Sequence, residues 1–442
     1  MNATGSLASG NRMARLLAGS TGLRFLGMLF GFLVGVQLAR GLGPEGYGIY
    51  GLALSVISML AIPAEFGVPP LVTREVAAAH VRQQWPAVWS VLLWAVRTVV
   101  GLAVVTLAIV GLAWLVWRDK VTAELLRTFL AGLLLILLIP LGNLTGAAIR
   151  GLQNIVKGQV PDVILRPALF SLLLFGCTFL LPFELTPPVA ISLQVVAAGI
   201  SLAVAGGMLR KLLPPLPPRA ARPPGQRGWL HSALPMALAD SMRAVQGNLA
   251  LIALGYLAAP AAVGIFRVGM SAGLLLTMPL TVAYVVSGPM FSSLHAAGDK
   301  VALQKSLTQT TTLSVVGVVC CVLPFALAGE ALLDIIFGHE FRESNSVILI
   351  LSLGTLLSAS LGPVGSLLNM TGQERYVTRS FAVSVILLAV LAPPLILLAG
   401  GNGAALANSI ALTTWSALMW RHARRTLGYD SSVWGAFRRK SA

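Results

Sequence analysis

The segment PEGYGIYGLALSVISMLAIP at residues 44–63 returns later in the chain as PAAVGIFRVGMSAGLLLTMP at residues 260–279. The two segments align without a gap at an offset of 216 residues, and six positions are identical. The identical pairs are Pro44 and Pro260, Gly48 and Gly264, Ile49 and Ile265, Ser55 and Ser271, Leu60 and Leu276, and Pro63 and Pro279. Because the six identities align without a gap and two of them are prolines, we interpret the pattern as a duplication of an apolar helical unit.

The composition around these segments is that of a membrane protein. Of the 442 residues, 56% are hydrophobic and only 10% are charged, whereas soluble domains carry about 25% charged residues. The mean hydropathy is +0.84. The formal net charge is +16, but the basic residues are scattered between apolar runs, so we do not expect nucleic-acid binding.

Apolar runs long enough to cross about 30 Å of hydrocarbon recur throughout the chain. The first follows a short polar segment and is too long for the core of a signal peptide, so we expect it to remain as the first helix. We predict an all-α integral membrane protein with about twelve transmembrane helices, at 16–40, 46–68, 86–117, 125–148, 160–181, 188–211, 229–256, 261–288, 306–328, 346–369, 376–399 and 403–423.

The basic residues between these helices predict the orientation of the chain. If the N-terminus is cytoplasmic, 21 of the 31 lysines and arginines lie on the cytoplasmic side, five lie outside and five lie within helices. This asymmetry follows the positive-inside rule. We therefore expect both termini in the cytoplasm.

A proline-rich basic segment, LPPLPPRAARPPGQRG at 213–228, divides the chain near its centre and is typical of a linker. We expect an N-terminal lobe at 1–212 and a C-terminal lobe with a basic tail at 229–442. Six helices per half give parallel repeats, which predicts two lobes around a central cleft. The matched prolines Pro63 and Pro279 are candidate hinges, because proline removes a helical hydrogen bond.

Two stretches of the first half, LARGLGPEGYGIYGLALS at 38–55 and FGVPPLVTREVA at 66–77, resemble the N-terminal signature of a known family. The second half agrees, with LGYLAAPAAVGIFRVGMS at 254–271, GPMFSSLHAAGDK at 288–300, IIFGHEFRES at 335–344 and LLNMTGQER at 367–375. These segments are similar to those of bacterial polysaccharide flippases, the Wzx-type exporters of the multidrug/oligosaccharidyl-lipid/polysaccharide (MOP) superfamily.

The resemblance implies a function in surface polysaccharide biosynthesis. A member of this family would move an undecaprenyl-pyrophosphate-linked oligosaccharide from the cytoplasmic to the periplasmic leaflet of the inner membrane by alternating access. Its expected partners are this lipid-linked oligosaccharide, membrane lipids, and the polymerase and glycosyltransferases of polysaccharide assembly. The glycan, whether O-antigen, capsule or exopolysaccharide, is not specified by these motifs, nor are the coupling ion and the oligomeric state.

A diphosphate that crosses a membrane requires cations inside the protein, and arginine has a forked donor set suited to phosphate. A charge within a span is by default a candidate functional group. We predict that Arg24, Arg243 and Arg267 contact the anionic head group. At the offset of 216, Arg24 corresponds to Asp240, which we interpret as the partner that holds Arg243, with proton coupling as an alternative role.

Polar side chains in the same helices are candidates to line the path of the sugar. These are Gln37, Gln246 and Asn248, although single polar residues in spans often bond between helices instead. The three cysteines and five histidines have no ligand spacing, so we expect no metal, no cofactor and no enzymatic activity.

Three other functions remain open on the sequence. A multidrug or cation antiporter of the same superfamily would need acidic coupling groups, and helix one contains none. A membrane glycosyltransferase or polymerase would need catalytic groups in a large outer loop, and the only acidic cluster outside is Glu330, Asp334, Glu340 and Glu343. The third alternative is a flippase for the peptidoglycan precursor. Relatives with that function typically carry two additional C-terminal helices, which are not among the twelve helices predicted here.

Overall fold

The computed structural model describes residues 3–117, 122–179, 184–215 and 226–438, and this part of the chain is almost entirely helical. The helices are α1 (Ala3–Glu65), α2 (Val68–Val81), α3 (Trp85–Trp117), α4 (Ala123–Gly132), α5 (Leu135–Gly151), α6 (Arg166–Phe179), α7 (Pro187–Leu212), α8 (Gln226–Leu257), α9 (Pro260–Ala296), α10 (Lys300–Ile336), α11 (Ser344–Ser360), α12 (Val364–Met370), α13 (Glu374–Thr426) and α14 (Val433–Arg438). A π-helical turn, Pro161–Leu165, precedes α6, and a 3-10 turn, His339–Phe341, precedes α11.

The described residues contain eight helices that are long and apolar enough to cross a membrane, or nine if α11 and α12 form one broken span. Two of these helices, α1 and α13, each contain a break near the middle. The arms on either side of each break are more than 20 residues long, or about 30 Å. Each arm can therefore span by itself, which agrees with the predicted architecture of about twelve transmembrane helices.

The break in α1 lies where glycine precedes proline. Gly43 has φ 65° and ψ 179°, a conformation that side chains with a Cβ rarely adopt. Pro44 follows it and has no N–H to continue the helical hydrogen bonding. The break in α13 lies at Ala399 and Gly400, where Gly400 has φ 52°. Glycine thus ends a transmembrane arm in both halves of the chain.

The chain forms two compact units. Unit 1 contains Met1–Leu42 and Ile49–Asn248, and unit 2 contains Gly43–Gly48 and Leu249–Ala442. The short segment Gly43–Gly48 thus belongs to unit 2, although its neighbours on both sides belong to unit 1. The linker predicted at 213–228 lies mostly outside the described residues, so the predicted lobes at 1–212 and 229–442 stay a prediction.

Within unit 2, the two duplicated motifs contact each other reciprocally. A Cβ atom on Gly48 would lie 1.8 Å from the carbonyl oxygen of Pro260, and a Cβ atom on Gly264 would lie 2.0 Å from that of Pro44. Each contact joins the glycine of one Pro-x-x-x-Gly motif to the proline of the other. The repeat therefore supplies two glycines that have no space for a side chain, which explains their identity at equivalent positions.

Unit 1 has a core built around the amphipathic helix α2. Its residues Val68, Val72 and Val76 are fully buried and pack with Val88 and Ala95 of α3. The hydroxyl of Thr73 donates to the carbonyl of Ala147 in α5. One face of α2 is thereby fixed to the transmembrane helices, while Arg74 and Val81 remain exposed.

Unit 2 contains two apolar clusters. One includes Leu254, Phe266 and Leu388, and the other includes Phe291, Leu307 and Leu368. Small polar residues form the contacts between α11 and α13. Ser358 forms a hydrogen bond with Ser416, and the hydroxyl of Ser409 donates to the carbonyl of Ile350. Small residues of this kind allow close helix–helix approach in membranes.

The segment after α13, Gly428–Ser432, folds back into unit 2, and we name it the C-terminal strap. The strap lies against the break between α11 and α12, which bends by 44°. Ser431 is fully buried, its hydroxyl donates to the carbonyl of Leu361, and its own carbonyl accepts from Thr311 of α10. The side-chain amide of Gln304 forms two hydrogen bonds with the backbone of Asp430.

Candidate functional site

Arg24 lies on the first arm of α1, inside the span that begins at Gly19. Its side chain is exposed, and within the described part of the chain it forms no hydrogen bond or ion pair. Neighbouring apolar side chains, Phe25 and Leu26, are exposed as well. This arginine is therefore a cation at membrane depth that no described carboxylate neutralises.

Gln37 lies further along the same arm. Its Oε1 atom is buried and has no hydrogen-bond partner among the described residues. A buried amide oxygen without a partner costs free energy, so it is suited to accept a hydroxyl from a polar ligand. The role of Gln37 in lining a sugar path stays a prediction.

Two further polar candidates lie in α8. The amide of Asn248 donates to the carbonyl of Ala244 one turn earlier, a local bond that leaves its side-chain oxygen for other contacts. Gln246 is half-buried and already has an interaction within the described structure. The side chains of Asp240 and Arg243 lie outside the described residues, so their roles stay predictions.

Arg267 lies in unit 2, on α9. Its guanidinium lies over the ring of Tyr47, 5.5 Å from the centroid, and the Tyr47 hydroxyl is 3.3 Å from that of Ser271. Tyr47 is 1% exposed. Because a guanidinium is attracted to the face of an aromatic ring, the contact with Tyr47 holds the side chain of Arg267 in place.

The two candidate hinge prolines have different surroundings. Pro63 is exposed near the end of α1, where Phe66 and Gly67 both have positive φ. Pro279 packs against α10, since a Cβ atom on Gly317 would lie 2.5 Å from the Pro279 Cβ. Their hinge function stays a prediction.

The structure also brings together polar groups of unit 1 that were not predicted as site residues. The carboxylate of Glu65 accepts a hydrogen bond from the side-chain amide of Asn143. The hydroxyl of Tyr50 donates to the side chain of Gln194 in α7. Both contacts join residues far apart in sequence, so no local pattern could have identified them.

A charged cluster lies where α5, the π-helical turn and α6 meet. Asp162 interacts electrostatically with Arg166 and Arg150, and the Arg150 guanidinium donates to the carbonyl of Gly158 at 3.2 Å. Gly142, Gly146 and Arg150 follow one another at intervals of four residues and therefore share one face of α5. That spacing and the four-residue spacing of Asp162 and Arg166 were the available signals for this cluster, which combines two cations with one anion.

Of the acidic residues predicted outside, Asp334 forms an ion pair. Asp334 is paired with Arg342 at 2.5 Å, and both side chains are exposed or nearly so. The hydrogen bond and charge of Asp334 raise the pKa of Arg342. Among the residues that the structure describes, no group of three or more His, Cys, Asp or Glu side chains is placed to hold a metal ion.

Comparison with known proteins gives a family and a fold. Residues 19–295 match the sequence profile of the family described as polysaccharide biosynthesis protein. An inward-facing multidrug resistance MATE family transporter of the MOP superfamily superposes with a TM-score of 0.75 at 14% identity, over 96% of this chain and 100% of that one. No curated protein matches the sequence.

Two further solved structures show the same architecture. The lipid II flippase MurJ, in an inward closed conformation, has a TM-score of 0.68 at 11% identity, over 91% of this chain and 86% of that one. A MOP superfamily transporter from Pyrococcus furiosus has a TM-score of 0.65 at 15% identity, over 93% and 95%. At such identities the likeness shows the fold, which is that of MOP superfamily transporters.

Proposed function

Because the chain belongs to the polysaccharide biosynthesis protein family and has the fold of MOP superfamily transporters, we propose that it is a lipid-linked oligosaccharide flippase. Its substrate is an oligosaccharide joined to undecaprenyl by a diphosphate. It moves this substrate from the cytoplasmic to the periplasmic leaflet by alternating access, without chemical change.

The observation that carries this proposal is Arg24, which is exposed within a membrane span and has no ion-pair partner among the residues that the structure describes. A charge within a span is costly and is therefore by default a functional candidate, and the guanidinium can bind phosphate oxygens with two parallel hydrogen bonds. Gln37 lies on the same arm, and its Oε1 has no hydrogen-bond partner among the described residues, which supports a role as an acceptor for sugar hydroxyls. An anionic, polyhydroxylated substrate uses both groups.

The cellular setting follows from the same proposal. The protein resides in the bacterial inner membrane with both termini in the cytoplasm, since most of its basic residues then face the cytoplasm. It receives substrate from cytoplasmic glycosyltransferases and delivers it to a periplasmic polymerase.

A cation-coupled antiporter of the same superfamily is the second candidate. The observation that favours it is the carboxylate of Glu65, which lies in a span of unit 1 and accepts a hydrogen bond from Asn143. Such a group can bind a proton or sodium ion. An antiporter would require Glu65, whereas the flippase proposal requires the arginines.

The test is complementation of a bacterium that lacks its own polysaccharide flippase, with the genes for the protein's own glycan supplied. Surface glycan is measured for the wild type, Arg24→Ala and Arg24→Lys, at equal membrane levels. Arg97→Ala is the matched control, because Arg97 is likewise an exposed arginine within a span, on α3. Arg243→Ala, Arg267→Ala and Glu65→Gln complete the set.

We expect the wild type and Arg97→Ala to restore surface glycan. Arg24→Ala should lower it about tenfold or more, since loss of a charge-assisted hydrogen bond costs about 1.5–3 kcal/mol, and Arg24→Lys should recover part of the loss. Failure of the wild type would contradict the flippase proposal and favour the antiporter. Equal activity of Arg24→Ala would leave the function standing and remove Arg24 from the site. Loss with Glu65→Gln would make Glu65 a group that the flippase requires.

A further inference from the structure

Three charged side chains of unit 1, Arg150, Asp162 and Arg166, are not part of the proposed head-group contacts, and we name them the interfacial triad. All three are half-buried. Arg150 lies in the last turn of α5, Asp162 lies in the π-helical turn, and Arg166 begins α6. They therefore lie at the ends of two spans rather than at the middle of the membrane.

The carboxylate of Asp162 lies against a glycine face. A Cβ atom on Gly142 would lie 3.0 Å from Asp162 Oδ1, and one on Gly146 would lie 3.1 Å from Oδ2. Any larger residue at either glycine would push against the carboxylate. The two glycines thus make room for a charged group between α5 and the π-helical turn.

The triad is assembled but its members do not pair directly. Both arginines act electrostatically on Asp162, yet within the described structure neither guanidinium forms an ion pair or hydrogen bond with the carboxylate. Arg150 donates one hydrogen bond, to the carbonyl of Gly158, and Arg166 donates none to the described residues. Most of the donors of two half-buried guanidiniums are therefore unused.

A purely structural ion pair would have a different geometry. Arginine and carboxylate normally meet in a bidentate contact, which offsets the cost of removing both charges from water. Here the two guanidiniums do not contact the carboxylate, and the three side chains together carry one excess positive charge. The exposed Lys157, on the connection between Arg150 and Asp162, adds a further positive charge. Spaced cations at the end of a span, with a single anion between them, match the chemistry of a phosphate group at head-group depth.

We propose that the interfacial triad binds the phosphate group of a membrane lipid, and that the Asp162 carboxylate partly neutralises Arg150 and Arg166 when no lipid is bound. The π-helical turn is consistent with this role, since such turns often occur at functional sites. The phosphate belongs either to the diphosphate of the carried lipid, which rests on the proposed function, or to a bilayer phospholipid, which does not.

The proposal predicts that substitutions at neighbouring residues change the affinity for the lipid phosphate in opposite directions. Asp162→Asn removes the negative charge that competes with the ligand, so binding should tighten several-fold. Arg166→Gln removes a donor and a positive charge, so binding should weaken about tenfold. Arg97→Gln is the control, because it removes an equal charge from an exposed site on α3.

The experiment uses the full-length protein in detergent micelles that contain no phosphate. Undecaprenyl pyrophosphate and phosphatidylglycerol are added separately, and the occupancy of each is measured by native mass spectrometry. Thermal unfolding of every variant is recorded, and Arg166→Lys serves as a second variant that keeps the charge and should bind nearly as well as the wild type. If the variants change the occupancy of undecaprenyl pyrophosphate alone, the ligand of the triad is the carried lipid. If they change the occupancy of both lipids equally, the ligand is a bilayer phospholipid.

Either of two results would overturn the proposal. One is a wild-type protein that binds neither probe more strongly than Arg166→Gln does. The other is an Asp162→Asn variant that is folded and binds no better than the wild type, which would make the triad structural. Because binding is measured without transport, a failure here leaves the complementation result for the proposed flippase unaffected.

Discussion

At the scale of single residues, the candidate arginines differ in how the structure holds them. Arg24 is exposed and unpaired within the described structure, whereas Arg267 lies over Tyr47. The sequence identified both as charges within spans, because a charge among apolar residues is visible without a structure. It could not identify the aromatic support of Arg267, since Tyr47 is more than 200 residues away.

Asp430 shows how tertiary contacts set the state of one carboxylate. Burial by itself would raise the pKa of Asp430, but hydrogen bonds from Ser432 and Trp420 and the charge of Arg424 outweigh it and hold the pKa below the ordinary 3.8. The folded state thus favours the ionised carboxylate. Its contribution to stability is fully present above pH 3.8 and is lost as the pH falls through the lower pKa of the folded protein.

We therefore predict that Asp430→Ala lowers the thermal unfolding midpoint of the protein in detergent at neutral pH. The loss leaves the indole of Trp420 and the hydroxyl of Ser432 without their acceptor, which costs about 1–3 kcal/mol. The difference between wild type and variant should shrink below pH 3.8. A difference that stays constant down to pH 3 would show that the charge of Asp430 has no part in the effect.

At the scale of the elements, glycines and prolines decide where helices end and where they meet. Gly43 and Gly400 break the two longest helices at positive φ. Gly362 allows the bend between α11 and α12, and a Cβ atom there would lie 2.3 Å from the carbonyl oxygen of Ser431 in the C-terminal strap. The same residue thus permits both the bend and the close approach of the strap.

The reciprocal contact of the duplicated motifs gives a second prediction. Gly48→Ala and Gly264→Ala should each lower the thermal unfolding midpoint and the amount of folded protein in the membrane, because each new methyl group meets a backbone carbonyl that cannot turn away. We expect a cost of about 1–3 kcal/mol for each variant.

The matched controls are Gly31→Ala on α1 and Gly273→Ala on α9, since a Cβ atom at either position has no neighbour within 4 Å. Both should be nearly neutral. If all four variants behave alike, the close approach of the two motifs is not what excludes a side chain at Gly48 and Gly264.

At the scale of the whole molecule, the distribution of basic residues predicts how the chain is oriented. A fusion of green fluorescent protein to the C-terminus should be fluorescent, and alkaline phosphatase at the same position should be inactive, because that end is expected in the cytoplasm. Alkaline phosphatase inserted at the connection after α10, near Gly338, should be active. The reverse pattern would invert the proposed direction of transport.

The sequence by itself determined the class of the fold, the positions of the helices and the family. A span must be predominantly apolar over about 20 residues, and the motifs around Pro44 and Pro260 are local, so both can be read from the residues in order. The structure and the family match confirm these predictions.

Only the tertiary structure decided which of these residues meet. Arg150 approaches Asp162, Glu65 contacts Asn143, and the C-terminal strap docks on the break after α11. Each of these contacts joins parts of the chain whose approach depends on the fold. In an apolar chain, hydrophobicity fixes which segments enter the membrane but is nearly the same on every face of a helix. The pairing of helices therefore depends on close packing and a few hydrogen bonds, which exist only after the chain has folded.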